Sequence, residues 1–194
     1  MRAFRAQNIE SAKSRLNLCA DDIRCQIEAL GNTMELCSQL GAVLGMLGDC
    51  SRAIGDSPAA IKYFEESMDF LSKLPNDDQE ITHTLSVSLN KIGDLKYYDG
   101  DLESARSNYV RSLMLRKGAM KDNNAVPSQV LDVAVSLAKV ADVDRTIGNE
   151  DAALDGFREA ISLLESLSIE PKDAGLEQRR ISVLEFLNNQ LSGK

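Results

Sequence analysis

The sequence predicts an all-α fold, a right-handed α-solenoid built from helical hairpins with extended helices, about eight helices in all. Three observations indicate this architecture. Apolar residues recur at helical spacing through most of the 194 residues, the four prolines stand at or between the boundaries of these periodic segments, and three segments align with one another without a gap. Runs of alternating β-branched residues are missing, so no strand is predicted.

Apolar stripes and cap residues define the predicted helices, which cover residues 5–29, 33–54, 58–74, 78–99, 101–119, 128–147, 150–167 and 173–191. Residues typical of helix starts and turns stand at the pairs Asn32 and Glu35, Ser57 and Pro58, Asp77 and Glu80, and Gly100 and Asp101. The fourth helix has the clearest stripe, formed by Ile81, Leu85, Leu89, Ile92 and Leu95. The eighth has the stripe of a capping helix, formed by Leu176, Ile181, Leu184, Leu187 and Leu191.

The internal repeat consists of the segments "LGMLGDCSRAIGDSPAAIKYF", "LNKIGDLKYYDGDLESARSNY" and "LAKVADVDRTIGNEDAALDGF". This pattern resembles the tetratricopeptide repeat, a helix–turn–helix unit with fixed small and large positions. The equivalent positions are the small residues Gly48, Gly93 and Ala141, the turn glycines Gly55, Gly100 and Gly148, the alanines Ala60, Ala105 and Ala153, and the aromatics Phe64, Tyr109 and Phe157. We expect the small residues where helices cross closely and the aromatics between successive hairpins.

Residues 1–194 are predicted to form a single helical-repeat domain. It divides into a half repeat at 1–31, full repeats at 32–76, 77–124 and 125–171, and a capping helix at 172–194. The first helix is expected to be the second helix of a hairpin, with Ala12, Leu16 and Cys19 matching Ala60, Phe64 and Ser67. The repeats are longer than the usual ~34 residues of this class, so the helices must be extended.

Composition narrows the possible functions. A net charge of −8 makes nucleic acid and acidic membrane surfaces poor partners. The single histidine, His83, offers no catalytic constellation, so the chain is not expected to be an enzyme. Cys19, Cys25, Cys37 and Cys50 lack the spacing of metal ligands, so we expect no metal or other cofactor and read them as reduced, half-buried packing residues. With no signal peptide at its start, the chain is expected to be cytoplasmic.

A closer resemblance covers nearly the whole chain and is carried by "LCSQLGAVLGMLGDCSRAIGD", "EITHTLSVSLNKIGDLKYYDGDL" and "VPSQVLDVAVSLAKVADVDRTIGNE". These segments resemble the C-terminal tetratricopeptide region of the plant No Catalase Activity family of catalase chaperones. The resemblance implies a non-enzymatic, client-binding function with catalase as the client. It also implies an N-terminal RING-like zinc domain, whose Cys and His ligands this sequence does not contain.

The resemblance to tetratricopeptide proteins also implies which side chains line a binding groove, because the first helix of each hairpin lines the concave face in such proteins. The residue after each small position is an aspartate, and cationic or aromatic residues accompany it at fixed offsets. The predicted protein-binding residues are Asp49, Arg52, Lys91, Asp94, Tyr97, Tyr98, Lys139, Asp142 and Arg145. The alternative for each charged residue is a solvated helix face.

One known partner class is not expected. Tetratricopeptide adaptors that grip the C-terminal carboxylate of heat-shock chaperones use Lys, Asn, Asn, Lys and Arg. The matching positions here are Gly45, Asp49, Lys91, Val135 and Lys139. Because Asp49 would repel a carboxylate, no heat-shock carboxylate clamp is predicted.

Two other functions stay open beside the catalase chaperone. The first is a generic tetratricopeptide scaffold or adaptor that recognises a short peptide motif of another partner. The second is an enzyme that depends on His83. A scaffold would bind a short peptide, a chaperone would need a folded or folding client, and an enzyme would lose turnover when His83 is replaced.

Overall fold

The computed structural model describes residues 2–74, 78–120 and 126–192, with side chains from residue 8 onward. All regular structure in these ranges is helical, which confirms the predicted fold class. The α-helices are α1 (Arg2–Leu30), α2 (Met34–Ala53), α3 (Ser57–Leu71), α4 (Gln79–Tyr98), α5 (Leu102–Ala119), α6 (Pro127–Thr146), α7 (Glu150–Glu165) and α8 (Ala174–Leu191), with a 3-10 turn at Pro171–Asp173. The predicted boundaries agree to within about three residues.

The helix starts correct the sequence prediction at two positions by one residue. Thr33, not Asn32, caps α2, because its Oγ1 accepts a hydrogen bond from Leu36 N at 3.2 Å. Asp56, not Ser57, caps α3 by accepting from Ala59 N at 3.1 Å. The predicted cap Asp101 is confirmed, with Ser104 N donating to it at 3.2 Å.

The start of α4 is capped by a residue that the pattern did not single out. The predicted cap Asp77 lies outside the described residues. Asp78 Oδ1 accepts hydrogen bonds from Glu80 N at 2.8 Å and from Ile81 N at 3.3 Å. This carboxylate therefore satisfies two of the free N–H groups of the first turn.

The three hairpin turns share one backbone geometry. Their glycines have positive φ angles of 84°, 81° and 91°, at Gly55, Gly100 and Gly148. In each turn the residue after the glycine donates its N–H to the carbonyl five residues earlier: Asp56 to Ser51, Asp101 to Lys96, and Asn149 to Asp144. These three glycines therefore close the end of the first helix of each hairpin in a left-handed conformation.

The chain divides into two compact units, Met1–Leu95 and Lys96–Lys194, and the division falls within α4. In the first unit α1 packs on α2, and α2 on α3. An added Cβ at Gly48 would overlap the ring of Phe64, and one at Gly41 would lie 2.8 Å from Leu71. The expectation that small residues stand at close helix crossings is thus confirmed for Gly48. Phe64 also belongs to a core cluster with Ile92 and Leu95 of α4.

The predicted register of α1 is wrong at two of its three positions. Leu16 packs against the core, but Ala12 and Cys19 are exposed, and the buried residue is Ala20. The reason is that the apolar stripe of α1 runs through Leu16, Ala20, Ile23 and Ile27. The stripe turns Cys19, and Cys25 with it, toward solvent. Of the four cysteines expected to be half-buried, only Cys50 is so, while Cys37 is fully buried.

The second unit packs α5 on α6, α6 on α7, and α8 on both α6 and α7. Phe157 and Leu187 lie at the centre of its core with no exposed surface. The apolar stripe predicted for α8 is buried at Leu187, with Leu176, Leu184 and Leu191 partly buried around it. Ile181 departs from that prediction, because 45% of it is exposed.

Two arginines of α5 tie the helix to α6. Arg106 forms a two-pronged ion pair with Asp144, with Nε to Oδ1 at 2.6 Å and Nη2 to Oδ2 at 3.1 Å. Arg116 donates to the carbonyl of Asp132 at 2.8 Å and to Ser136 Oγ at 3.0 Å, and burial lowers its pKa.

Among the described helices, none has both the length and the apolar composition needed to cross a lipid bilayer.

Candidate functional site

The nine predicted protein-binding residues lie on α2, α4 and α6, the first helices of the three hairpins. Four belong to the first unit, namely Asp49, Arg52, Lys91 and Asp94. Five belong to the second, namely Tyr97, Tyr98, Lys139, Asp142 and Arg145. All are at least partly accessible to solvent.

In the first unit three of the predicted charged residues, Asp49, Arg52 and Lys91, pair with one another. Lys91 Nζ lies 2.7 Å from Asp49 Oδ2, and Arg52 Nη2 lies 3.4 Å from Asp49 Oδ1. Lys91 Nζ also lies 5.3 Å from the ring centroid of Phe64, a cation–π contact. The neighbouring Cys50 thiol has a raised pKa, first because it is partly buried and second because Asp49 is negative.

The predicted cations of the second unit, Lys139 and Arg145, also make contacts within the chain. Lys139 Nζ lies 5.1 Å from the ring centroid of Tyr109, which repeats the relationship between Lys91 and Phe64 one hairpin earlier. The guanidinium of Arg145 lies 4.8 Å from the ring centroid of Phe157. Arg145 also pairs with Glu150 at 2.8 Å and donates to Gln190 Oε1 at 2.7 Å. These predicted groove cations therefore cover aromatic core residues.

The two adjacent tyrosines of α4 have different environments. Tyr97 packs against the cluster of Ala105, Tyr109 and Val143, and its hydroxyl lies 3.3 Å from Thr146 Oγ1. Tyr98 is 85% exposed, and its ring meets Tyr97 edge to face with centroids 6.0 Å apart. Tyr97 is thus a packing residue, whereas Tyr98 leaves most of its ring in solvent.

Asp142 differs from Asp49 in that its carboxylate has no hydrogen bond or ion pair within the described residues. It lies one turn before Thr146 on α6, and its backbone carbonyl accepts a hydrogen bond from Thr146 Oγ1 at 2.8 Å. Thr146 in turn contacts Tyr97. Hydrogen bonds thus link Asp142, Thr146 and Tyr97 in the second unit, and Tyr98 adjoins Tyr97; we call these four residues the Tyr98 surface.

The sequence analysis missed a cavity of about 300 Å³ in the first unit, between α1 and α3. It is lined by Asn17, Arg24, Ala59, Lys62, Tyr63 and Glu66. Arg24 pairs with Glu66 at 2.6 Å, which raises the pKa of the guanidinium, and Tyr63 donates to Asn17 Oδ1 at 3.3 Å. The repeat pattern could not reveal this cavity because its alignment placed α1 in the wrong register.

The titratable side chains that the structure describes form no metal-ligand cluster. His83 is exposed on α4, and its carbonyl accepts a hydrogen bond from Ser86 Oγ at 2.8 Å. In residues 8–74, 78–120 and 126–192, no group of three or more His, Cys, Asp or Glu side chains could hold a metal ion.

Comparison with known proteins identifies a similar plant protein. The chain is 69% identical over 191 residues to Protein NCA1 of Arabidopsis thaliana, whose initials are those of the No Catalase Activity family. The match covers 98% of this chain, so the resemblance drawn from the sequence is confirmed. It covers 47% of NCA1, so the chain spans about half the length of that relative. The chain matches no protein-family profile.

Solved structures with the same fold include the nearly identical TPR-like repeats assigned to a kinesin light chain of Podosopora anserina. The TM-score is 0.59 at 14% identity, over 97% of this chain and 84% of that one. A single-substitution variant of those repeats gives a TM-score of 0.60 at 13% identity, with the same coverage. The fold is therefore that of a tetratricopeptide-like α-solenoid.

Proposed function

We propose that this chain is a non-enzymatic tetratricopeptide-like domain that binds a protein client, with catalase as the client, and that it keeps the client folded and active. Its fold and its similarity to NCA1 support a binding role, and the resemblance to the No Catalase Activity family supplies the client. In this proposal residues 1–194 form one binding domain, which acts in the cytoplasm.

The observation that carries the proposal is the exposure of Tyr98. A tyrosine that is 85% exposed leaves its ring in water, although aromatic rings are among the side chains with most to gain from burial. Tyrosine is enriched at the energetic centres of protein interfaces, since it offers apolar area and a polar tip at low entropic cost.

A client would be stabilised by mass action. A domain that binds the folded or nearly folded client but not its unfolded chain shifts the folding equilibrium toward the native state. The bound area would also be withheld from other client molecules, which suppresses aggregation. Neither effect requires a catalytic group or a cofactor in this chain.

The test is a heat-inactivation assay with purified catalase under reducing conditions. Catalase is warmed with increasing amounts of the chain, and light scattering and remaining activity are followed in parallel. We expect protection to saturate near a stoichiometric amount of the chain and to fall for Tyr98→Ala. Phe186→Ala on α8 is the matched control, because Phe186 is a half-exposed aromatic outside the Tyr98 surface.

The alternative function, a scaffold for a short peptide motif, predicts different results in binding and inactivation assays. A scaffold for a short peptide motif would bind catalase fragments or another peptide as well as the folded client, and it would leave the inactivation of catalase unchanged. Absence of protection at any ratio, with a correctly folded chain, would overturn the chaperone role.

A further inference from the structure

We propose that the chain forms a dimer through α1, whose outer face pairs with the same face of a second copy in an antiparallel arrangement. This outer face lies on the side of α1 opposite Asn17 and Arg24, which hydrogen-bond to α3. Eight exposed residues form it: Ala12, Arg15, Leu18, Cys19, Asp22, Cys25, Gln26 and Ala29. The inference is independent of the proposed client, because it concerns contacts between two copies of this chain.

The outer face of α1 carries little charge for a surface exposed to water. Among its eight residues only Arg15 and Asp22 are charged, and Leu18 is 69% exposed. The adjoining edge of the same helix is acidic, with Glu10, Asp21 and Glu28. The exposed residues of α7, the second helix of the last full hairpin, are also mostly charged, namely Glu150, Asp151, Asp155, Arg158, Glu159 and Glu165. The apolar exposure of the outer face therefore marks it as an interaction surface.

Arg15 and Asp22 indicate which partner covers this face, because their charges complement each other when the helix is reversed. Within the described residues neither side chain has an ion-pair partner, and Asp22 accepts a hydrogen bond from Gln26 at 2.9 Å. The two residues lie two helical turns apart on the same side of α1. When two copies of α1 cross antiparallel about a twofold axis between Leu18 and Cys19, each Arg15 faces Asp22 of the second copy. The two resulting ion pairs would neutralise the charges of both faces.

The same axis places uncharged residues against one another along the rest of the face. Leu18 meets Leu18 of the second copy on one side of the axis, and Cys19 meets Cys19 on the other. Ala12 stands opposite Cys25, and their small side chains let the helices approach closely. A parallel arrangement would instead place Arg15 beside Arg15 and Asp22 beside Asp22. The charges therefore favour the antiparallel arrangement.

The first test is the oligomeric state of the intact chain, measured by sedimentation velocity under reducing conditions. Since one helix face buries less area than a standard interface, we expect a reversible dimer whose fraction rises with protein concentration. Asp22→Arg places like charges opposite one another and should weaken the dimer at least about tenfold. Arg15→Asp combined with Asp22→Arg restores opposite charges and should return the affinity to within about threefold of the wild type. Glu185→Arg, the same reversal at an exposed position of α8, is the control.

The second test uses the cysteines to measure the arrangement with the native charges in place. One variant keeps Cys19 and replaces Cys25 and Cys50 with serine, and the other keeps Cys25 and replaces Cys19 and Cys50. Buried Cys37 stays in both. From the helical rise, the two copies of Cys19 would stand about 1.5 Å apart along the helix axis, and the two copies of Cys25 about 20 Å apart. Mild oxidation should therefore link the first variant into a covalent dimer and leave the second unlinked.

Three results would overturn the inference. The first is a wild-type chain that is monomeric at every concentration; protection of Cys19 from alkylation by added catalase would then assign the face to the client. The second is a dimer that Asp22→Arg leaves unchanged, or that the charge-swapped double variant fails to restore although circular dichroism shows it folded. The third is equal linking of the Cys19 and Cys25 variants, which would indicate a parallel arrangement or random encounters.

Discussion

Lys91 of α4 lies with its Nζ 2.7 Å from Asp49 Oδ2 of α2, so a charge that the repeat pattern offers to a partner is neutralised within the chain. The same Nζ sits over the ring of Phe64. Lys91 thus links the first helices of two successive hairpins and covers the aromatic residue between them. These contacts give Lys91 a structural role, although its sequence position is that of a groove residue.

Replacement of Lys91 should therefore lower stability and leave client binding unchanged. Lys91→Ala removes the ion pair, the cation–π contact and the packed stem, with an expected loss of about 1 kcal/mol in the free energy of unfolding. Lys91→Met keeps the aliphatic part of the side chain and should lose less of the free energy of unfolding. Urea unfolding measures both variants, and a wild-type midpoint for Lys91→Ala would disprove the structural role.

Gly48 and Gly45 provide a matched pair on α2. Gly48→Ala should destabilise the chain by about 1–3 kcal/mol, because the new methyl group would overlap the ring of Phe64. Gly45→Ala should stabilise it by up to about 1 kcal/mol, since nothing lies within 4 Å of the added Cβ and alanine favours the helix. Thermal unfolding of both variants gives the comparison, and equal effects would contradict the close crossing of α2 and α3.

The pair between Arg106 and Asp144 should respond unequally to loss of either partner. The side chain of Asp144 is 4% exposed and that of Arg106 is 42% exposed. Arg106→Ala leaves a buried carboxylate without its cation and should cost about 3 kcal/mol. Asp144→Ala leaves an arginine that water can reach and should cost about 1 kcal/mol.

Arg111→Ala is the control for this pair, because Arg111 is exposed on the same helix and should change stability by less than about 0.5 kcal/mol. Urea midpoints for the three variants decide the order. A larger loss for Asp144→Ala than for Arg106→Ala would refute the explanation by burial.

Asp101, the N-cap of α5, should make the free energy of unfolding depend on pH in acidic solution. The pKa of Asp101 is lowered below its ordinary value of 3.8, mainly by its hydrogen bonds with Ser104 and further by Lys96. Because the folded pKa is the lower one, the stabilising contribution is complete above the unfolded value and is lost as pH falls through the folded value. Asp101→Asn, which does not titrate, should be less stable than the wild type above about pH 4, and the difference should shrink in more acidic solution.

Urea midpoints measured from about pH 2 to pH 6 test this prediction. Glu65→Gln on α3, an exposed carboxylate without a hydrogen bond or ion pair among the described residues, serves as the control. A gap between wild type and Asp101→Asn that stays constant across this range would show that the cap does not titrate.

Helix order and hairpin turns could be predicted from the sequence because they depend on local signals. The stripe from Ile81 to Leu95 and the positive-φ glycines Gly55, Gly100 and Gly148 are properties of neighbouring residues. The side of α1 that packs could not be inferred from the repeat, since α1 follows its own stripe through Ala20.

The contacts of each candidate site residue could not be predicted from the sequence. The pattern located the helices and the residue types, yet it could not tell a partner-facing cation from one that covers a ring. That difference depends on contacts between helices far apart in the sequence, such as Lys139 over Tyr109 and Arg145 over Phe157. Tyr97 and Tyr98 likewise separate only in three dimensions, by the contact of Tyr97 with Thr146.

The most direct test of the central claim is a calorimetric titration of purified catalase into this chain under reducing conditions. We predict saturable binding that is weakened at least about tenfold in the Tyr98→Ala/Asp142→Asn variant and unchanged in Lys91→Met. The absence of heat and of complex formation with the folded wild-type chain would contradict the claim that this domain binds catalase.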